Sequence, residues 1–136
     1  MQILQPPGWA RPKGFSNGIA AQGKLVFIAG QIGWTGQAQW KERSFAGQFR
    51  QALLNVITVL KEAQGKPEHI VRLTWYVLDK QEYLASLKDV GVAYRAVMGR
   101  HFPTMAVVQV SGLIEPEARL EIEATAVIPE NSPEAP

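Results

Sequence analysis

Cysteine is absent from the 136 residues, which excludes disulfides, thiolate metal sites and thiol nucleophiles together. Histidine occurs only at His69 and His101. Neither has a second ligand at usable spacing, so each reads as a surface or helix-end residue and no metal site is expected. No apolar run approaches the length of a membrane-spanning helix. The opening residues, Met1-Gln2-Ile3-Leu4-Gln5-Pro6-Pro7, lack the basic region and apolar stretch of a secretory signal. Charge of one sign is not in excess either. Fourteen lysines and arginines against twelve acids leave a formal charge of +2, scattered without the basic stripe that nucleic-acid binding shows. Nucleophile elbows, phosphate-cradling glycine loops and paired-histidine motifs are missing as well. The expectation is one domain spanning 1–136, cytoplasmic, with no membrane and no nucleic-acid partner.

What is present reads as alternating β and α segments. Residues 1–14 carry Pro6, Pro7 and Pro12 with Trp9 and Arg11, and are expected to form an irregular arm. Runs of β-formers at 16–21 and 25–29, separated by Gln22-Gly23-Lys24, predict a hairpin. The second run, Leu25-Val26-Phe27-Ile28-Ala29, is apolar throughout, as in a central strand covered on both faces. It ends at Gly30-Gln31-Ile32-Gly33, where glycines permit close backbone approach to a ligand; a plain loop is the other reading.

Ser44 is placed to cap a helix to about Gln64, in which Phe45, Phe49, Leu53, Val56, Ile57 and Leu60 recur at three- and four-residue spacing. Gly65 supplies the stop, with Pro67 beyond it. A strand over 70–78 centres on Trp75, Tyr76 and Val77. Asp79 and Glu82 then suggest a capping box opening a second helix to about Arg100. Gly91 inside that helix costs about 1 kcal/mol relative to alanine, which points to close packing or to a lost side chain.

The stretch 102–128 carries two further β runs around a turn from Gly112 to Pro116, which predicts a closing hairpin. In its returning arm Leu120, Ile122, Ala124 and Ala126 point one way, and Arg119, Glu121, Glu123 and Thr125 the other. The predicted order is therefore β-β-α-β-α-β-β, an α+β fold with helices on one face of a mixed sheet. The other face carries Arg119, Glu121, Glu123 and Thr125 beside Arg72, Thr74 and Tyr76, and is either solvated or buried in an oligomer. Residues 129–136 are expected to be a disordered tail.

The segments Ala29-Gly30-Gln31-Ile32, Phe102-Pro103 with its β run, and Leu120-Glu121-Ile122-Glu123-Ala124-Thr125-Ala126 resemble the RidA (YjgF, reactive intermediate deaminase) family over about 15–127. That resemblance implies a chorismate-mutase-like fold and a homotrimer with three clefts between subunits that bind small metabolites. It implies hydrolysis of enamines and imines to ketoacids and ammonia without a cofactor. It also puts Glu121 in the role of general acid/base and leaves Glu123 structural. Phe15, Ala29, Gly30, Gln31, Ile32, Gly91 and Met105 fall at the family's substrate-binding positions.

Four of those positions depart from the family. Met105 stands where the arginine that clamps the substrate carboxylate belongs, Phe15 replaces a tyrosine, Ala29 a serine and Gly91 an asparagine. A charged bidentate clamp contributes about 1.5–3 kcal/mol that methionine does not supply. Three functions follow: a divergent hydrolase whose substrate lacks the α-carboxylate or holds it elsewhere, a metabolite-binding trimer without chemistry, or a structural, holdase-like role. Arg11, Arg72 and Arg119 are the candidates for a displaced anion contact.

Overall fold

The structure, a computed structural model, describes residues 1–130; the expected tail from Asn131 onward lies outside the described residues. The arm is not wholly irregular. A short strand β1, Gln2–Leu4, pairs antiparallel with β2, Gly18–Ala20, and the two form a separate ribbon. The expected hairpin of β2 with the next strand is therefore not formed. β3, Lys24–Ile32, turns into the main sheet instead. The turn between them does require its glycine, since Gly23 has φ +148° and a Cβ there would lie 2.1 Å from the Ile128 carbonyl oxygen.

The first helix, α1, is Phe45–Glu62, and the Ser44 hydroxyl accepts from the Gly47 N–H at 3.0 Å as its cap. All six residues of the apolar stripe are buried. At the C-terminal end the Gly65 N–H reaches back to the Leu60 carbonyl. The left-handed conformation is taken by Gln64, φ +66°. Gly65 is needed for space, because a Cβ there would be 2.5 Å from Leu60 Cδ1.

A 3-10 turn over Pro67–His69 leads into β4, Ile70–Val77. The second helical region is two helices, not one: α2, Lys80–Ala85, and α3, Leu87–Met98, divided at Ser86, whose hydroxyl donates to the Glu82 carbonyl. Asp79 caps α2 by accepting from Gln81 and Glu82 N–H. Glu82 does not complete a capping box, because its carboxylate pairs with Arg119. The last strands are β5, Thr104–Gln109, and β6, Leu120–Ile128.

The main sheet has the order β3-β6-β4-β5. β5 lies parallel to β4, and β6 runs antiparallel between β3 and β4. The predicted closing hairpin is thus absent. The helical crossover after β4 returns β5 beside it in parallel, as β-α-β connections do, and the chain over 110–119 carries β6 past β4 to its far side. β3 is an edge strand, not one covered on both faces: Leu25 and Phe27 are 60% and 75% exposed.

The core lies between the sheet and the helices. Leu73, Trp75, Val77, Leu120, Ile122, Ala124 and Ala126 meet Phe49, Leu53, Val56, Leu60, Val90 and Tyr94 there. On the opposite face Tyr76 is opposite Glu121, Thr74 opposite Glu123 and Arg72 opposite Thr125. This is the predicted polar face except for Arg119. That residue precedes β6, donates to the Arg43 carbonyl at 2.7 Å and pairs with Glu82.

Candidate functional site

The predicted site residues fall into two groups on different surfaces of the chain. Phe15, Gly91 and Met105 line a cavity of about 470 Å³ formed by the 13–15 loop, α3 and the core-facing side of β4 and β5. Local bonds set each in place. Ser16 ties the loop to the start of β5, its hydroxyl donating to the Phe102 carbonyl at 2.5 Å and its N–H to the Pro103 carbonyl at 3.1 Å. Phe15 is thereby held at the cavity mouth. Met105 is half-buried opposite Leu73 in the parallel register, so its side chain shares the face of Leu73 and Trp75.

Aromatic packing makes the cavity's floor. The Trp75 ring packs 4.7 Å from Phe49 and edge-on to Tyr83, and Tyr94 stacks on Phe102 at 5.5 Å. The Tyr94 hydroxyl donates to the His101 carbonyl at 2.6 Å, and burial pushes its pKa well above the usual tyrosine value. The surroundings of Gly91 bear on the close-packing reading of its role. A Cβ there would meet only the Arg95 guanidinium, at 3.4 Å, and no other element. The glycine is not required by packing.

The second group is on β3 and β6. The pairing of the two strands breaks between Ile28 and Gln31, so that Ala29 and Gly30 form a bulge. The bulge brings the Gly30 backbone against the Glu121 carboxylate; a Cβ at Gly30 would lie 1.9 Å from Glu121 Oε2. Gln31 folds back, its amide donating to the Ala29 carbonyl at 3.3 Å. Ile32 is buried and gives its carbonyl to Asn55, which also holds the Trp34 carbonyl, at 3.1 and 2.7 Å. The turn after β3 is thus fastened to α1.

The two glutamates of β6 differ. Glu123 Oε1 accepts from the Tyr76 hydroxyl at 2.6 Å, and this bond raises the Tyr76 pKa. Glu121 is half-buried and accepts no hydrogen bond from another side chain among the described residues, which leaves its oxygens available to a ligand or water. Glu121 is on the open face of the sheet and Met105 on the helical face, so a single chain does not bring them together.

Two cations at the cavity were not identified in the sequence, Lys13 and Arg95. Arg95 stands four residues after Gly91, and helical spacing alone was sufficient to place both on one face. Of the arginines considered for a displaced anion contact, Arg119 is engaged by Glu82, Arg72 lies on the open face beside Tyr76, and Arg11 lines a separate groove with Ile3, Asn17 and Arg100. Among the described residues no three metal-ligating side chains cluster, and no helix is long and apolar enough to cross a membrane.

The model of the family described as Endoribonuclease L-PSP matches residues 9–128. A RutC family protein of Synechocystis sp. is 31% identical over 95% of this chain and 98% of its own. Among solved structures, the conserved Rid family protein YyfB of Yersinia pestis superposes with a TM-score of 0.81 at 28% identity, covering 93% of this chain and 98% of that one. Escherichia coli TdcF with bound serine gives a TM-score of 0.67 at 28% identity over 94% of this chain and 99% of that one.

Proposed function

Because the chain belongs to the RidA/YjgF/L-PSP family, we propose that it forms a homotrimer whose intersubunit clefts bind a small metabolite and hydrolyse a C=N or enamine bond. The observation that carries this reading is the separation of the site into two halves. The cavity with Phe15, Gly91 and Met105 and the bulge with Gly30, Gln31 and Glu121 lie on different surfaces of one chain. A cleft closed by a second copy joins them. The exposed Leu25 and Phe27 on β3 favour the same assembly, since an apolar face of this kind is what a subunit contact buries. Serine bound to TdcF supports a small-molecule site in this fold.

In the reaction, Glu121 positions a water against the C=N carbon and takes its proton as the C–O bond forms. That proton passes to nitrogen to give a carbinolamine. Glu121 then takes the hydroxyl proton and returns it to the amine, so that the C–N bond breaks with release of ammonia and a carbonyl, and imine plus water is accounted for. Gln31, beside the bulge, orients the ligand, while Ile32 and Gly33 are packed toward α1 and hold the turn. With Met105 at the position of the family's carboxylate-clamping arginine, ordinary 2-iminoacids are poor substrates.

Sedimentation should give a particle of three times the 15.0 kDa chain; a stable monomer removes the joined site. Ammonia release from dehydratase-generated 2-iminobutyrate should be far below that of family deaminases, and a comparable rate overturns the substrate assignment. Turnover of a retained metabolite that survives Glu121→Ala unchanged removes the glutamate's role. A cavity lined chiefly by apolar and aromatic side chains also suits a binding trimer without chemistry, which is the outcome if retained metabolites bind but are never consumed.

A further inference from the structure

We propose that the cavity under α3 takes a small organic monocarboxylate with a bulky apolar body, its carboxylate held at the mouth by Arg95 and Lys13. The inference rests on the reading of this cavity as one half of a small-molecule site, and it names the chemistry that half selects. Lys13 and Arg95 are the only charged residues lining the cavity, and no carboxylate accompanies them. Neither forms an ion pair among the described residues. Two unpaired cations at the rim of an apolar space attract one kind of ligand, an anion with a hydrophobic remainder.

The position of Arg95 follows from Gly91. Helical side chains lean toward the N-terminus of their helix, which brings the Arg95 guanidinium back over the preceding turn, 3.4 Å from where a Gly91 Cβ would stand. A side chain longer than alanine at Gly91 would contend for that space. The glycine therefore leaves room for a planar, five-donor group at the mouth, where bidentate carboxylate recognition is geometrically suited. Below it Met105, Val107 and Trp75 offer only apolar surface to a ligand body, with one exception. The Trp75 residue is 4% exposed, and its indole N–H is buried without a partner among the described residues. Tyr83 and Tyr94 also line this space, so the floor is mainly aromatic, and the Trp75 ring within it reports on whatever lies above.

The anion contact thus enters from α3 and the 13–15 loop and not from β5. A substrate held this way carries its carboxylate at the rim and its body over Met105. That geometry separates the preferred ligand from short 2-iminoacids, which have too little body to fill the floor while touching the rim.

Calorimetric titration of the full chain in its native assembly with 3-phenylpropanoate and with its neutral isostere 3-phenylpropanamide tests this. The carboxylate should bind about tenfold tighter or more, the preference expected of a charge-assisted pair. Arg95→Gln should bring the ratio close to one, and Lys13→Gln should lower it partway. Both side chains are exposed, so neither change threatens folding. The Trp75 indole N–H resonance, assigned by elimination with Trp9→Phe, Trp34→Phe and Trp40→Phe, should move on addition of the carboxylate. A ratio near one in the unmodified protein, a ratio unaffected by Arg95→Gln, a fixed Trp75 signal, or no binding of either compound each overturns the proposal. A preserved ratio without turnover of any imine removes the hydrolase and leaves the carboxylate site. Turnover of an imine with a ratio of one does the reverse.

Discussion

Alanine introduced at Gly30 and at Gly33 is the same chemical change three residues apart, yet the two should have different consequences. At Gly33 the new methyl would lie 2.6–2.8 Å from Gln48 Cβ, Cα and Cγ. Gln48 is 2% exposed, and its amide donates to the Glu42 and Glu117 carbonyls and accepts from the Arg119 N–H. Neither the α1 backbone nor this bonded side chain can step aside cheaply, so the clash should cost about 1–3 kcal/mol as overpacking does. At Gly30 the methyl would meet the end of a flexible side chain, Glu121 Oε2 at 1.9 Å. Moving the carboxylate off its present rotamer costs about 0.5–1.5 kcal/mol. The loss of unfolded-chain freedom on replacing glycine returns about 0.4–1 kcal/mol. Gly30→Ala should therefore lie near zero in stability while displacing the proposed catalytic carboxylate, and Gly33→Ala should lose about 1–2 kcal/mol net. Urea unfolding of both variants at one protein concentration measures this, with midpoint and slope fitted separately. The decisive comparison is Gly30→Ala in a Glu121→Ala background, where the obstacle is gone and the substitution should become stabilising by about 0.4–1 kcal/mol. If Gly30→Ala is as damaging as Gly33→Ala, or if its cost persists without Glu121, the bulge is not packed against that carboxylate and the reasoning fails.

Gly91→Ala should stabilise the protein by about 0.5–1 kcal/mol, since alanine suits a helix interior and the new Cβ meets only Arg95 at an ordinary contact distance; a loss of stability by thermal unfolding would show that the position is packed. Tyr94 stays protonated in the folded state above the 10.0 at which the free side chain ionises, so its contribution is fully present below pH 10 and is lost as pH rises toward the folded value. Stability should fall by up to about 1.4 kcal/mol per pH unit for this group above pH 10, and the fall should be shallower in Tyr94→Phe; equal slopes in alkaline unfolding curves would contradict this. Met105→Arg should raise affinity for short carboxylates by about one to two decades, the worth of a charged clamp, and an unchanged titration with 2-oxobutyrate would show that the other replaced positions matter as much.

Local features were legible in the sequence and long-range ones were not. The α1 stripe, its Ser44 cap and the alternation of β6 depend on residues within a few positions of one another, and all three are present. The pairings predicted from short turns failed in both places. Gln22-Gly23-Lys24 does turn the chain, but β2 finds its partner in Gln2–Leu4, a segment whose neighbouring prolines hid a strand. The 112–116 turn separates strands that lie two places apart in the sheet, because partner choice there is set by the helical crossover between β4 and β5. Alternation correctly separated Ile122 from Glu121, but could not separate Glu121 from Glu123; that difference lies in the Tyr76 hydroxyl, seventy-sixth in the chain and adjacent only after folding. Arg95 escaped notice because an exposed arginine on an amphipathic helix reads as a solvated face until the glycine one turn earlier is seen to open onto a cavity.

The position of β6 has a consequence for how the molecule is made. The strand that occupies an interior place in the sheet is the last of its four to leave the ribosome. Until Leu120–Ile128 emerges, β3 and β4 have no common neighbour, and each presents an unpaired edge to whatever else is nearby. The nascent chain can build α1 and the β4–β5 parallel pair, but it cannot close its core. Most of its sheet contacts are therefore deferred to the end of synthesis, the circumstance in which chains fold slowly and depend most on being shielded. A chain halted before Leu120–Ile128 is complete would hold the β4–β5 pair with nothing to join it to β3.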